Sequence, residues 1–317
     1  MVIKLKIAVL DDYQQVAFIM ADWQHIKQQA DVTVFTDHLA DEAAIIARLI
    51  NFDVICVMRE RTPLTRSIIS ALPRLKLIVS TGARNASIDA KAVDELGITL
   101  KHTRYLDTGA PEFTWAMLMA LTKHIPTEAN AFKGGKWQHT IGIDLTGKTI
   151  GIIGLGRVGK KIAAYAKAFD MNVIAWSQNL TADQAEEAGV KLVSKEELFQ
   201  TADFVSIHLV LSDRSRGIVS RRELALMKPT AYLINTSRGP LVIESDLLDA
   251  LREKKIAGAA VDVFDIEPLP VGHPFRTLDN LLATPHIGYV TENTYRLFYG
   301  DTVTIIEEWL VDGHTNK

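Results

Sequence analysis

The sequence predicts an α/β protein built from two parallel-sheet domains with a cleft between them. Its 317 residues exceed the length at which a single hydrophobic core usually stops growing. Short β-branched runs alternate with helical patterns along the chain, as in a parallel sheet with crossover helices. A loop at Gly134-Gly135 separates two series of these runs. With 48% hydrophobic and 23% charged residues, the chain can fill two cores.

The first series contains five predicted strands. The segments between them carry apolar residues at three- and four-residue spacing, which is typical of crossover helices. A helical pattern over residues 292–310 has no strand after it, so we expect it to pack back on the first domain. The predicted strands are Ile7–Leu10, Val32–Phe35, Val54–Met58, Leu77–Ser80 and Ile98–Leu100.

The second series contains seven predicted strands, a number that suits a doubly wound sheet. The predicted architecture is therefore two Rossmann-like or flavodoxin-like domains. Residues 1–103 with 288–317 would form one domain and residues 104–287 the other. The second set of strands is Thr149–Ile153, Val173–Trp176, Lys191–Val193, Phe204–His208, Tyr232–Asn235, Ala259–Phe264 and Leu281–Ala283.

Charge and composition exclude several kinds of partner. A net charge of −3 provides no basic field for a polyanion, so neither nucleic acid nor a membrane surface is expected as a partner. The single cysteine, Cys56, lies in an apolar run and is expected in the core. No signal-length or membrane-spanning apolar segment is found, which predicts a cytoplasmic protein. No metal site is predicted.

A glycine-rich loop joins the first strand of the second domain to a helix, which is the context of a dinucleotide fingerprint. Gly154 can take the tight turn, Gly156 can let the backbone approach a pyrophosphate, and Gly159 can let the helix pack closely. The helix is predicted to begin near Lys160, and its first amides would face the phosphates. Arg157 and Val158, which precede it, are also predicted to bind the cofactor. An ordinary glycine-rich turn explains one of these glycines but not three in register.

The segment after the next strand bears on the choice of cofactor. Ser177 and Gln178 stand where an Asp or Glu usually accepts hydrogen bonds from the ribose of NAD. A neutral serine would not repel a 2′-phosphate, so the expected cofactor is NAD, with NADP not excluded. Alternatively, Gln178 and Asn179 simply end the strand.

Three further segments place a cation, a carboxylate and an imidazole directly after strands of the second domain. They carry Arg238 in Asn-Thr-Ser-Arg-Gly-Pro, Glu267 in Asp-Val-Phe-Asp-Ile-Glu-Pro, and His286 in Thr-Pro-His-Ile-Gly. A surface ion pair, a turn glutamate and a helix-flanking histidine are each individually commoner than catalysis. Their joint position at strand ends, where open α/β sheets bind ligands, favours a site.

Together with the glycine loop, these segments resemble the D-isomer-specific 2-hydroxyacid dehydrogenases over essentially the whole chain. This family includes D-3-phosphoglycerate, D-lactate and glycerate/hydroxypyruvate dehydrogenases. The resemblance implies NAD(P)-dependent hydride transfer with a small 2-oxo or 2-hydroxy acid, and a homodimer. It also implies that Arg238 holds the substrate carboxylate and carbonyl, His286 is the acid/base, and Glu267 supports His286.

The chemistry itself requires such groups. Hydride arriving at a 2-oxo carbon leaves an alkoxide, which needs a proton donor that titrates near neutrality, as His286 can. A carboxylate at Glu267 would stabilise the imidazolium. The planar guanidinium of Arg238 can bind a carboxylate bidentately and polarise the adjacent carbonyl, which a lysine cannot do with the same orientation.

The resemblance adds further expected contacts. In the second domain, Asp262 would accept the nicotinamide carboxamide, Thr236 would line the nicotinamide side, and Gly288 would belong to the cofactor site. In the first domain, Arg59 would reach the distal end of the substrate, although solvated loop charges are as good an explanation for Arg59 and its neighbour Arg61. The loop expected to receive the substrate carboxylate consists of Thr81, Gly82, Ala83 and Arg84; Arg84 departs from the family's usual apolar residue.

Two other functional classes are consistent with part of the pattern. A nucleotide-sensing binding protein, like the C-terminal-binding co-repressors, would keep the three catalytic residues, but this chain lacks long disordered tails for recruiting partners. An L-specific lactate or malate dehydrogenase should carry its glycine loop near the N-terminus, whereas here it begins at Gly154. The substrate side chain and the direction of reaction are left open.

Overall fold

The computed structural model describes residues 4–312. The chain divides into two compact units: unit 1 comprises residues 1–106 and 290–317, and unit 2 comprises residues 107–289. The outermost parts of the predicted first domain, residues 1–3 and 313–317, lie outside the described residues. Each unit contains one parallel sheet covered by helices, so the predicted α/β class with two parallel sheets is confirmed.

Unit 1 contains a five-stranded parallel sheet in the order β2-β1-β3-β4-β5. Its two central strands, β3 and β4, are buried at every residue, as expected for a parallel sheet covered on both faces. The five strands are β1 (Leu5–Val9), β2 (Ala30–Val34), β3 (Val54–Val57), β4 (Leu77–Ser80) and β5 (Thr99–His102).

Five short helices connect the strands of unit 1. Three of them begin at residues whose side chains accept a hydrogen bond from the first helical turn: Asp41, Thr65 and Asp89. Such caps satisfy helix amides that have no partner inside the helix. The helices are α1 (Ala17–Met20), α2 (Gln24–Gln29), α3 (Glu42–Leu49), α4 (Arg66–Ser70) and α5 (Ala90–Glu95).

Unit 2 contains a seven-stranded parallel sheet in the order β12-β11-β10-β9-β6-β7-β8. The chain runs from β6 to β7 on one side and later returns to β9 on the other, so the strand order reverses at β6. Open α/β sheets bind ligands outside the carboxyl ends of strands at such a reversal. The strands are β6 (Thr149–Ile153), β7 (Asn172–Trp176), β8 (Lys191–Leu192), β9 (Phe204–Ile207), β10 (Tyr232–Asn235), β11 (Gly258–Val261) and β12 (Leu281–Ala283).

The strand predicted at residues 259–264 is too long. β11 ends at Val261, because the amide of Phe264 donates to the Glu267 carboxylate (2.9 Å) instead of to a neighbouring strand. Residues 262–267 therefore form a loop at the carboxyl edge of the sheet, which is where the predicted site requires them.

Seven helices cover the faces of this sheet, and hydrophobic cores lie on both faces. Short 3₁₀ turns occupy Gly239–Leu241 and Pro274–Thr277. The helices are α6 (Gly109–Thr122), α7 (Ile125–Lys133), α8 (Arg157–Ala168), α9 (Ala182–Glu187), α10 (Lys195–Thr201), α11 (Arg221–Leu226) and α12 (Glu244–Arg252).

The chain then returns to unit 1 through the long helix α13 (Glu292–Val311). This helix packs on α1, α2 and β4, which confirms the expected docking of the C-terminal segment on the first domain. Its buried face includes Phe298, Ile306 and Trp309, and Arg104 forms an ion pair with Asp301 on the helix (2.7 Å). Within residues 4–312, no helix combines the length and apolarity that crossing a membrane would demand.

Replacing Ile306 with alanine should destabilise unit 1, because this fully buried side chain would leave a cavity beneath α13. We expect a loss of about 2–5 kcal/mol in the free energy of unfolding, measured by urea denaturation. Thr304→Ala, at an exposed position of the same helix, is the control and should change stability by less than about 1 kcal/mol. Equal stability of the two variants would contradict the packing of α13.

Candidate active site

The glycine loop lies at the carboxyl end of β6, at the reversal of the strand order. Gly154 has a φ of +97°, and a Cβ there would lie 2.7 Å from the carbonyl oxygen of His208. A Cβ at Gly159 would lie 2.2 Å from the Gly154 carbonyl oxygen. Neither position can accept a side chain without displacing backbone, so the first turn of α8 packs directly on the loop.

The start of α8 fits the phosphates of a dinucleotide. Gly156 precedes the helix, provides no side-chain cap, and faces open space. The amides of the first turn, which begins at Arg157 and Val158, are therefore open to an anion, and the helix dipole adds a partial positive charge. The Arg157 side chain is exposed beside them.

Ser177 and Gln178 follow β7 at the same edge of the sheet. Ser177 is half-buried, and its carbonyl accepts a hydrogen bond from the amide of Leu180 (3.1 Å), which closes a tight turn. Gln178 is exposed at the tip of this turn. The turn contains no carboxylate, so it offers a ribose only neutral hydrogen-bonding groups.

Arg238 is carried by a rigid loop after β10. The buried Asn235 donates through its amide nitrogen to the Arg238 carbonyl (2.9 Å) and accepts from the Ser237 amide (3.1 Å). The half-buried guanidinium of Arg238 donates to the Ser237 carbonyl (2.7 Å). Asn235 thus acts as a brace for the arginine, a role that its place in the sequence motif did not reveal.

His286 and Glu267 form a direct pair. The Nδ1 atom of His286 lies 2.5 Å from Oε2 of Glu267, and the Phe264 amide holds the other carboxylate oxygen. The imidazole packs edge-on against Tyr289, with ring centroids 5.6 Å apart. His286 has a φ of +52°, an uncommon conformation for a residue with a side chain. Since Glu267 engages Nδ1, Nε2 is the nitrogen left to exchange a proton with a substrate.

Asp262 fixes the loop that carries His286. Its fully buried carboxylate accepts hydrogen bonds from Thr284 Oγ1 (2.6 Å), the Ile287 amide (2.9 Å) and the Gly288 amide (2.8 Å). Burial raises the pKa of Asp262 above its usual range, and these three hydrogen bonds oppose that rise. Within residues 4–312, the bond recorded at Oδ2 is that from Gly288, so the predicted carboxamide contact would be made at this oxygen.

The loops of Arg238 and Glu267 are in direct contact. A Cβ at Gly239 would lie 2.1 Å from the carbonyl carbon of Phe264, so the residue after the arginine packs against the backbone that holds Glu267. Through Asp262, the same stretch of chain binds the loop of His286. The structure therefore brings the three predicted segments together at one edge of the sheet in unit 2.

Thr236 and Thr114 form a contact that the sequence did not indicate. Their hydroxyl oxygens are 2.6 Å apart, and Thr114 also donates to the Ala110 carbonyl in its own helix (2.8 Å). Thr114 belongs to α6, well separated from Thr236 along the chain, and no motif marked it.

His208 also lies at the carboxyl edge of this sheet, and no sequence motif marked it. It follows β9, and its Nε2 lies 2.8 Å from Ser206 Oγ. Burial lowers its pKa to about 3, so the ring is neutral at physiological pH. Its Nδ1 is enclosed and has no hydrogen-bond partner among the described residues.

The predicted carboxylate-binding loop of unit 1 has fewer open amides than expected. The Thr81 amide donates to the Val57 carbonyl (3.1 Å), and the Gly82 amide donates to Thr103 Oγ1 (2.8 Å). Within residues 4–312, the amides of Ala83 and Arg84 have no such acceptor. These two amides are therefore the ones that can receive a carboxylate.

Arg59 and Arg61 differ in how they are used. Arg61 donates to the Asp11 carbonyl (2.7 Å) and to the Tyr295 hydroxyl (3.5 Å), so it ties the loop after β1 to α13. Arg59 lies across Gly82 and donates to the Thr81 carbonyl (3.3 Å). The geometry thus places Arg59 at the loop predicted to bind the substrate carboxylate and gives Arg61 a structural role. The Arg84 side chain is exposed.

Within residues 4–312, no three His, Cys, Asp or Glu side chains gather as they would around a metal ion.

Known proteins provide a comparison for this arrangement. The family model for the D-isomer specific 2-hydroxyacid dehydrogenase, NAD binding domain, matches residues 115–288. A D-3-phosphoglycerate dehydrogenase of Methanocaldococcus jannaschii is 37% identical over 275 residues, which are 86% of this chain and 52% of that protein. A glyoxylate reductase of Aeropyrum pernix is 36% identical over 237 residues, covering 72% of this chain and 71% of that protein.

A solved structure gives the same result over nearly the whole chain. The phosphoglycerate oxidoreductase from Vibrio cholerae has a TM-score of 0.92 and 35% identity, with 98% of this chain and 100% of that chain covered. The chain spans about half the length of two curated phosphoglycerate dehydrogenases that it matches. The matched family region contains the glycine loop and all three catalytic candidates, and the chain belongs to the D-isomer specific 2-hydroxyacid dehydrogenase family.

Proposed function

We propose that this protein is an NAD(P)-dependent D-2-hydroxyacid dehydrogenase that transfers hydride reversibly between nicotinamide and a small 2-oxo or 2-hydroxy acid. The observation that carries the proposal is the pairing of His286 with Glu267 on the same sheet edge as the glycine loop. NAD is the proposed cofactor, and NADP remains usable because the turn at Ser177 has no carboxylate. The substrate class is that of the relatives, which include phosphoglycerate dehydrogenases and glyoxylate reductases.

Three residues of unit 2, Arg238, His286 and Glu267, have separate roles in the proposed reaction. When bound, the nicotinamide supplies or receives the hydride. Arg238 binds the substrate carboxylate and polarises the 2-oxo group, which draws charge onto the carbonyl oxygen as reduction proceeds. His286 donates its Nε2 proton to that oxygen, while Glu267 holds Nδ1 and stabilises the charged ring. In the oxidative direction, the same nitrogen receives the proton.

We further propose separate tasks for the two predicted domains. Residues 104–287 would bind the cofactor, using the glycine loop, Thr236 and Asp262, and Gly288, which directly follows this range, would complete the cofactor site. Residues 1–103 with 288–317 would bind the substrate. The open amides of Ala83 and Arg84 and the guanidinium of Arg59, which lies over Gly82, support this second assignment.

A cytoplasmic location is also proposed. Cys56 is a buried free thiol, and burial raises its pKa, which keeps it protonated and unreactive. A chain whose only cysteine is an unpaired core residue is well suited to a reducing compartment.

We propose that the protein is a homodimer that associates through α7 and the loop after it. This segment exposes large apolar side chains, and the rings of Phe132 and Trp137 contact each other at 6.3 Å between centroids. Glu128 accepts hydrogen bonds from Thr140 (2.6 Å to the hydroxyl), which pins the loop back onto α7. A prearranged apolar patch of this kind suits a second copy of the chain. The exposed residues are Ile125, Phe132, Trp137 and Ile141.

Replacing His286 with glutamine should lower kcat by roughly 10²–10⁴-fold, the usual contribution of a positioned acid or base, and leave the Kd for NADH unchanged. The measurement is NADH oxidation with a panel of 2-oxo acids. His273→Gln is the matched control, since His273 also pairs with a glutamate (2.9 Å to Glu244) but lies outside the site. A kcat of His286→Gln equal to that of the wild-type enzyme would refute the assignment. If the wild-type protein itself turned over none of the 2-oxo acids, a nucleotide sensor would be favoured.

The wild-type enzyme should use both NADH and NADPH, with a modest preference for NADH. Ser177→Asp should sharpen that preference, because the carboxylate would bind the ribose hydroxyls and repel the 2′-phosphate. The ratio of kcat/KM for the two cofactors with one 2-oxo acid measures this. Asn179→Asp, two residues further along the turn, is the control and should shift the ratio less. If the wild-type enzyme cannot use NADPH, the predicted placement of Ser177 at the ribose is wrong.

Trp137→Glu should convert the dimer to a monomer, because it places a charge in the centre of the apolar patch. Val271→Glu, at a position of unit 2 that is 91% exposed and outside the patch, should leave the dimer intact. Size-exclusion chromatography with light scattering gives the mass of each variant. A monomeric wild-type protein, or a Trp137→Glu variant that stays dimeric, would exclude this interface.

A further inference from the structure

The contact between Thr114 and Thr236 fixes the direction of a hydrogen bond. Thr114 is almost completely buried, and its oxygen lies 2.8 Å from the Ala110 carbonyl and 2.6 Å from the Thr236 hydroxyl. A carbonyl can only accept, and a threonine hydroxyl has one proton to donate. The proton of Thr114 is therefore used by Ala110.

It follows that Thr236 must donate its own proton to Thr114. The chain of donors then runs from Thr236 through Thr114 to Ala110, and each bond polarises the next. Thr236 keeps only oxygen lone pairs for any other partner. Since Thr236 is half-buried, these lone pairs are accessible from the carboxyl edge of the sheet.

We propose that Thr114 is a positioning residue that makes Thr236 an obligatory hydrogen-bond acceptor for the amino group of the nicotinamide carboxamide. This rests on the proposed function, since it requires the nicotinamide to bind at this edge of unit 2. The carboxamide carries an amino group that only donates and an oxygen that only accepts. An acceptor that cannot reverse its role binds the amino end, so Thr236 selects one orientation of the carboxamide.

The surroundings leave Thr236 well suited to this task. Asp262, which the family resemblance also assigns to the carboxamide, is enclosed and already accepts hydrogen bonds from Thr284, Ile287 and Gly288. An amino group has two hydrogens, so a bond to Thr236 is compatible with a second bond to Oδ2 of Asp262. Thr236 is the more accessible of the two acceptors, because Asp262 has no exposed surface.

The test compares binding of NAD with binding of its 3-acetylpyridine analogue, in which a methyl group replaces the amino group. Kd values are measured by quenching of tryptophan fluorescence, without turnover. The wild-type protein should bind NAD roughly fivefold to tenfold more tightly than the analogue, which corresponds to one hydrogen bond. Thr114→Val frees the Thr236 hydroxyl to rotate and donate, so the ratio of Kd values should fall towards one.

Two further variants separate this role from a structural one. Thr114→Ser keeps the hydroxyl and should restore the wild-type ratio. Thr122→Val is the matched control, because Thr122 is buried in the same helix and makes the same type of bond to the Leu118 carbonyl (2.9 Å); it should leave the ratio unchanged. If Thr114→Val does not fold, Thr236→Val removes the acceptor directly and should also lower the preference.

Equal Kd values for NAD and the analogue in the wild-type protein would overturn the inference and leave the proposed dehydrogenase standing. The same holds if Thr114→Val keeps the full wild-type preference. A wild-type protein that binds neither dinucleotide would overturn the proposed function together with this inference.

Discussion

The buried carboxylate of Asp262 is the interaction on which the site in unit 2 depends. β11 and β12 are neighbouring parallel strands, so the loops that follow them emerge side by side with backbone amides that need acceptors. Asp262 provides one acceptor group for Thr284, Ile287 and Gly288. The segment from Thr284 to Gly288 can then hold His286 at a positive φ. This conformation costs of order 1 kcal/mol and persists only where the surroundings enforce it. Without this anchor, the histidine would not be held in place beside Glu267.

Backbone groups also determine the geometry of the glycine loop at the carboxyl end of β6. Gly154 and Gly159 allow the start of α8 to lie against the end of β6 with no side chain between them. This contact aims the unsatisfied amides of the helix at the point where the strand order reverses, and leaves space next to Gly156. Phosphate binding at such a position needs no charged side chain, because the amides and the helix dipole already favour an anion. Under the proposed function, the neutral turn at Ser177 would be the part of the site that decides between NAD and NADP.

In unit 1, neighbouring residues of like charge have different tasks. Arg59 and Arg61 both follow β3, yet Arg61 donates to Asp11 and Tyr295. Arg59 instead donates to the Thr81 carbonyl (3.3 Å), pairs with Glu60 (3.5 Å) and extends over Gly82. A guanidinium that joins the loop after β1 to Tyr295, as that of Arg61 does, stabilises the packing of α13. One that borders open backbone amides can contribute to an anion site. Charge alone could not distinguish these roles, because both residues lie in one polar segment.

The sequence by itself determined the fold class, nearly all of the strands and the identity of the candidate catalytic groups. It could do so because strand periodicity, glycine spacing and motif chemistry are properties of short segments. The end of β11, the occupied amides of Thr81 and Gly82, and the pairing of Thr114 with Thr236 depend on residues that are distant in the chain. Only the tertiary structure decided these features, because a hydrogen-bonding group is committed or free according to which partners packing brings within about 3 Å.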